Sequence, residues 1–234
     1  MKILAVDSSA WPASCAVLEN GRVLASSFAN TGLTHSQTLV PMVNDMLKNA
    51  GIGIDEIDLF AVSAGPGSFT GVRIGVAAVK GFAFASEKPC VGVSTLAAMA
   101  RAVQGLPLDG IICAAMDARC GQVYTALFEI ENGKIRRLMD DTALSIEELK
   151  NHVELCKKNI ILIGDGAELC YNAFGASVKA CPAPANLRYQ NAVGVAMEAE
   201  SMLDKSVSAD QLMPVYLRLP QAERELKRRL GHID

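Results

Sequence analysis

The chain has no paired-cysteine motif. Its seven cysteines (Cys15, Cys90, Cys113, Cys120, Cys156, Cys170 and Cys181) are an odd number with no CxxC or CxxxC spacing. That pattern is neither a disulfide framework nor a zinc site, and it reads as small apolar core residues in a reducing compartment. A surplus of charge is missing too: 22 Lys+Arg stand against 25 Asp+Glu, for a net charge of −3. Neutralising phosphates needs excess Lys and Arg, so this balance argues against a self-sufficient nucleic-acid binder. No apolar run approaches the roughly 18 residues of a membrane span. The apolar start Met1–Val6 meets Asp7, too early for a signal-peptide core of about 7–15 residues. The expected setting is the cytoplasm, with no membrane.

What is present is a large apolar fraction: 50 % hydrophobic and 20 % charged residues over 234 positions. Such a chain buries a substantial core, and at about 100–200 residues per domain it forms one large domain or two small ones. Lys2–Ser8 reads as a buried strand, and Ser14–Leu18 and Arg22–Ser26 as two more, joined by Asn20-Gly21. Asn-Gly favours the positive φ that a type I′ hairpin turn requires. Ser36–Asn49 carries Leu39, Val40, Val43, Met46 and Leu47 at helical spacing and is closed by Gly51. A strand at Leu59–Ser63, a glycine-rich loop at Gly65–Gly71 and a helix at Val72–Ala85 follow, then a strand at Val91–Val93 and a helix at Thr95–Val103.

The same order then restarts. Strands are expected at Ile111–Met116, Val123–Phe128 and Ile135–Leu138, with Asn132-Gly133 as the second hairpin turn. A helix at Ile146–Cys156, a strand at Ile160–Ile163 and the loop Gly164-Asp165-Gly166 complete the match. Asp7 and Asp117 close the two opening strands 110 positions apart. Element order of this kind stays readable after duplication even where residues have diverged. The expected halves are 1–105 and 106–234, with a C-terminal helix placed to pack back on the first. The fold class is α/β, and the doubled layout is similar to the actin-like ATPase fold (ASKHA, RNase H-like).

In that fold each half offers a hairpin loop to a nucleotide's phosphates and metal. Asp7, Ser8 and Ser9 stand at one such position, Asp117 at the other, and Gly164 and Gly166 at a further loop. Phosphate or Mg²⁺ contact competes here with hydrogen-bonded turn acids. A phosphate cradle wants glycines and free N–H groups, yet Ser8-Ser9 and Ala118-Arg119 follow the two acids. Both loops read as degenerate.

The stretch Ser63–Gly75 is the densest local signal. It lacks the Lys of a Walker A loop, the third Gly of a dinucleotide fingerprint and the order of a nucleophile elbow. A helix start able to hold an anion remains. The helix after it has only Arg73 and Lys80 as charges. Val72, Gly75, Val76, Val79 and Phe82 line one face and Ile74, Ala77, Ala78, Gly81 and Ala85 another. A helix apolar almost all round is either internal or a partner site.

Ala61–Gly75 closely resembles the signature of the bacterial TsaB (YeaZ) family. So do the start Ile3–Ser9, the segment Met116–Tyr124, and the end Pro214–Arg218 with Gln221-Ala222-Glu223. The resemblance runs the length of the chain in order. It implies an actin-like fold and a non-catalytic role in making threonylcarbamoyladenosine (t6A) beside the anticodon of tRNA. It also implies a catalytic TsaD-like paralogue and a TsaE-like ATPase as partners. The implied contact uses the first two helices, through Leu39, Val43, Met46, Val72, Gly75, Val76, Val79, Phe82 and Ala83. The chain alone is expected to homodimerise over the same surface and to meet tRNA through the complex. No intrinsic cofactor is expected; ATP is used by the assembled complex, with a nucleotide at the subunit junction.

The catalytic paralogue's metal pair HxxxH is broken here, because Leu39 stands four residues after His35. His35 therefore reads as a helix-start residue, and no metal or catalytic residue is expected. An ATPase or small-molecule kinase using Asp7 and Asp117 is the alternative, and a peptidase a remote one. The basic stretch Arg218–Arg229 reads as a solvated helical face or a phosphate contact.

Overall fold

In a computed structural model, residues 1–218 are described. The basic stretch beyond Arg218, Gln221–Glu223 and the expected C-terminal helix lie outside the described residues. The chain opens with β1 (Lys2–Asp7), β2 (Ala13–Glu19) and β3 (Arg22–Ala29), followed by α1 (His35–Ala50), β4 (Leu59–Gly65), α2 (Phe69–Ser86), β5 (Cys90–Ser94) and α3 (Thr95–Arg101). It continues with β6 (Gly110–Asp117), β7 (Gln122–Glu131), β8 (Lys134–Ser145), α4 (Ile146–Leu155), β9 (Ile160–Ile163), α5 (Ala167–Phe174), β10 (Ala180–Pro182), α6 (Ala185–Arg188) and α7 (Ala192–Glu200). The strands form two five-stranded sheets, β3-β2-β1-β4-β5 and β10-β9-β6-β7-β8. Each opens with an antiparallel meander and continues in parallel, with its first strand paired to its fourth. This doubled order is the actin-like fold.

Local chemistry sets the boundaries. Asn20-Gly21 and Asn132-Gly133 all adopt positive φ at the two hairpin tips. Gly51 ends α1 in the left-handed conformation, its N–H bonded to Leu47 and Lys48 carbonyls. Helix α2 starts at Phe69, three residues before the sequence-based start, because the Ser68 hydroxyl caps the Gly71 N–H. Phe69–Gly71 is thus a first helical turn and not loop.

Side-chain alternation revises the spacing of the duplication. In the first half, Leu4 and Val6 of β1 face α1 and α2. In the second, Ile111, Cys113 and Ala115 of β6 face α4 and α5. Even positions in one strand thus play the part of odd positions in the other, so the structural shift is odd. Because strand side chains alternate with period two, the even spacing of 110 puts Asp7 and Asp117 on opposite faces. Asp7 continues the face of Ile3 and Ala5, and Asp117 that of Ile111 and Ala115.

Helices α3 and α7 pack on each other between the sheets. Ala192, Val195, Ala196 and Ala199 of α7 bury against Ile3, Ala5, Ala61 and Val91 of the first sheet. Leu96, Met99 and Ala100 of α3 bury against Ile112, Ala114 and Phe128 of the second. Each helix therefore covers the sheet of the other half of the chain. This exchange holds the two sheets in one body and leaves a cleft between them, at the C-terminal ends of β1, β4 and β6.

Candidate functional site: the cleft and helix α2

The cleft has a volume of about 520 Å³. Its first-half wall carries Ser9, Trp11, His35 and Gly67–Gly71, and its second-half wall Asp117, Arg119, Tyr124 and Asp165. Residues Val215–Arg218 line it too, bonded to Ala64 on one side and Ala118 on the other.

Asp7 does not open into this cleft. It is 1 % exposed, and three donors hold its oxygens: the Ser9 N–H at 2.8 Å, the Ser9 hydroxyl at 2.7 Å and the Ser63 hydroxyl at 2.6 Å. Burial pushes its carboxyl above the usual range, against those hydrogen bonds and a contribution from His35. The Ser8 hydroxyl donates to the Gly71 carbonyl, and the Ser68 N–H to the Ser9 carbonyl. A Cβ on Gly71 would stand 2.1 Å from the Ser8 oxygen, and one on Gly67 2.4 Å from that of Ser9. The glycine-rich stretch therefore seats the start of α2 directly on the β1–β2 turn. The Ser9, Ser68 and Gly71 N–H groups of this region are thus bonded to protein.

The second half repeats the theme. The Asp117 carboxylate accepts the Arg119 N–H and pairs with its guanidinium at 3.2 Å. The Gly164 N–H donates to Arg188 and the Gly166 N–H to Ala115. Gly164 has φ +101, and a Cβ there would meet the Ala115 oxygen at 2.0 Å, so this glycine serves close approach to β6. Of the expected loop positions, Ser9 and Asp117 line the cleft; Asp7, Ser8, Gly164 and Gly166 do not. Sequence reasoning passed over Asp165, although it named the loop around it. Burial raises the Asp165 carboxyl, the Gln190 amide holds it at 2.8 Å, and Asp117 is its acidic neighbour. His35 is the first residue of α1, and its Nε2 meets the Ala10 carbonyl at 2.8 Å. Among the described residues, no three His, Cys, Asp or Glu side chains gather as a metal site.

The expected interface residues turn out to face inward. Leu39, Val43, Met46, Val72, Gly75, Val76, Val79 and Ala83 are all buried in the first half's own core. Phe82 is half-buried, stacked on Phe60 at 6.0 Å. The reason is geometric: the apolar stripe at helical spacing is the one that packs on β1 and β4. Gly75 is small for the same reason, since a Cβ would stand 2.7 Å from the Ser8 hydroxyl and 3.1 Å from Val62.

The face of α2 that does reach the surface holds Ala77, Gly81, Phe84 and Ala85, with Phe84 80 % exposed. Both cations of the helix border this face and are engaged by neighbouring groups, Arg73 while remaining exposed. Arg73 lies over the Phe69 ring at 3.9 Å and donates to the Tyr216 hydroxyl at 2.7 Å. Lys80 donates to the Asp210 and Leu212 carbonyls, each at 3.1 Å. Phe69–Ser86 reaches the length and mean hydropathy of a membrane span, although Arg73 and Lys80 interrupt its apolar run. Its inner stripe, however, lies in the core.

A family model described as TsaD, tRNA N6-adenosine threonylcarbamoyltransferase, matches residues 28–226. The chain is 35 % identical to the tRNA threonylcarbamoyladenosine biosynthesis protein TsaB of Escherichia coli, over 71 % of this chain and 72 % of that one. It is 29 % identical to the Bacillus subtilis protein of the same name, over 95 % and 96 %. The solved YeaZ from Pseudomonas aeruginosa superposes with a TM-score of 0.79 at 31 % identity, covering 92 % of this chain and 99 % of that one. With the doubled sheet order and the glycine-rich seat of α2 both in place, the chain belongs to the TsaB (YeaZ) family.

Proposed function

We propose that the chain is a non-catalytic subunit in the synthesis of threonylcarbamoyladenosine beside the anticodon of tRNA. It docks on a catalytic TsaD-like paralogue, and a TsaE-like ATPase joins them in the cytoplasm. The observation that carries this reading is the apolar stretch on the outer face of α2, with Phe84 standing 80 % exposed among Ala77, Gly81 and Ala85. A patch of this kind on a surface helix marks a partner site. In the absence of the paralogue, a second copy of the chain covers it as an isologous pair.

The cleft supports the non-catalytic part. A phosphate or Mg²⁺ ligand needs free carboxylate oxygens and free N–H groups, whereas those of Asp7, Gly164 and Gly166 are engaged within the protein. The ATPase or kinase reading also needs Asp7 and Asp117 to converge, and the two project from opposite strand faces. ATP therefore acts in the assembled complex, with nucleotide at the subunit junction, and tRNA is met through the complex.

Two measurements test the reading. Phe84→Glu should abolish co-elution with the TsaD-like paralogue in sizing chromatography while leaving the unfolding midpoint of the chain unchanged; a full complex would refute the docking face. The purified chain with ATP, Mg²⁺, threonine and bicarbonate should show no turnover. Hydrolysis by the chain alone that Asp117→Ala removes would establish the ATPase instead.

A further inference from the structure

We propose that Pro214–Arg218 is a latch that fastens the two halves of the chain across the mouth of the cleft. This stands whether or not the chain is catalytically silent. The segment arrives along the first half: Val207 pairs with Cys90 of β5, and Lys80 of α2 holds the Asp210 and Leu212 carbonyls. The Val215 N–H then donates to the Ala64 carbonyl at 2.7 Å. At Gly65 the two backbones come so close that a Cβ would stand 2.2 Å from the Val215 oxygen. Tyr216 stacks on Phe69 with ring centroids 4.6 Å apart, and its hydroxyl accepts from Arg73 at 2.7 Å. Two residues later the Arg218 guanidinium crosses to the other half and donates to the Ala118 carbonyl at 2.9 Å.

The latch thus has an anchor and a catch. Its anchor is aromatic and cationic, lies wholly in the first half, and takes one of the two charges of α2. Its catch, among the described residues, is the charged Arg218 donor on a backbone oxygen of the β6–β7 hairpin, in the second half. Asp117, Arg119 and Asp165 stand behind the catch, on the second-half wall. Beside the α3–α7 exchange, the segment restrains the cleft at its own position and ties the hairpin to the helix whose outer face is proposed to dock. A subunit that works as a scaffold gains from this, because a fixed cleft presents one shape to its partners.

Native residues supply the reporters. Trp11, the sole tryptophan, lines the first-half side of the cleft, and exposed Cys120 sits on the hairpin at Ala118. With Cys156→Ala and Cys181→Ser in the full chain, a dansyl-type maleimide on Cys120 accepts energy from Trp11. Losing the charged catch raises the ratio of open to closed forms by roughly tenfold, so Arg218→Ala should lower the transfer. Tyr216→Ala should lower it too, although Tyr216 stacks on and bonds to first-half residues, and the double variant should add little. Arg119→Ala, which breaks a contact inside the hairpin, should leave it unchanged. Unchanged transfer in Arg218→Ala overturns the latch. So does a drop in Arg218→Ala that Tyr216→Ala fails to reproduce, because the hairpin alone has then loosened.

Discussion

Ser63→Ala tests the buried cluster at the end of β1. It deletes one hydroxyl and no apolar contact, so its cost isolates the hydrogen bond to Asp7, which spans 2.6 Å in a fully buried setting. A hydrogen bond to a charged group is worth about 1.5–3 kcal/mol, and a neutral one about 0.5–1.5 kcal/mol. The cost should therefore depend on pH. Burial holds the Asp7 carboxyl above its ordinary value of 3.8. A folded value raised in this way contributes stability at pH below 3.8, and that contribution is lost as pH rises through the folded value. The Ser63 bond counters the rise, so its removal lifts the carboxyl further and deepens the loss on the alkaline side. Urea unfolding should show Ser63→Ala costing about 1 kcal/mol more at about pH 8 than at about pH 4. For a chain of this size that difference is about 2–4 °C in the melting midpoint. In an Asp7→Asn background the cost should no longer vary with pH. An equal cost at both pH values in the native background, or a pH dependence that survives Asp7→Asn, refutes the assignment.

Glycines of the α2 seat and of its outer face should respond in opposite directions. Gly71→Ala drives a Cβ to 2.1 Å from the Ser8 oxygen and should cost about 1–3 kcal/mol by overpacking; a neutral result in thermal unfolding would contradict the seat. Gly81 has nothing within 4 Å of an added Cβ, and Gly81→Ala should stabilise the isolated chain by about 0.5–1 kcal/mol through helix entropy. Val79→Glu places a carboxylate at a fully buried position and should unfold the chain or cost several kcal/mol, unlike Phe84→Glu on the same helix; comparable far-UV spectra and midpoints for the two would invert the assignment of faces.

Strand and helix order was legible in the sequence as far as β9 because its signals are local, whereas α5, β10, α6 and α7 were not read. Asn-Gly pairs mark both hairpins, Gly51 marks the end of α1, and apolar runs mark β1, β4, β6 and β9. The duplication was legible for the same reason, as order. Its exact spacing was not, because an Asp at the end of each opening strand invites an alignment that only pairing faces can check. Leu4 facing α1 and α2 while Ile111 faces α4 and α5 depends on contacts between residues tens of positions apart. One residue of shift reverses every side chain.

The orientation of α2 was hidden by composition. Its two apolar stripes look alike in sequence, and Val79 and Phe84 differ only in what lies beyond them. Two charges on a helix ordinarily mark a solvent face, but here they identify the neighbouring segment. Arg73 and Lys80 stand two turns apart on one edge of the helix and both engage residues 210–216. This pairing also explains why the glycine-rich stretch and the Pro214–Arg218 segment carry the family resemblance together. Gly65 must lack a side chain for Val215 to pass, Phe69 receives Tyr216, and Arg73 ties the pair. The two motifs lie far apart in sequence but act as one structural unit beside the cleft.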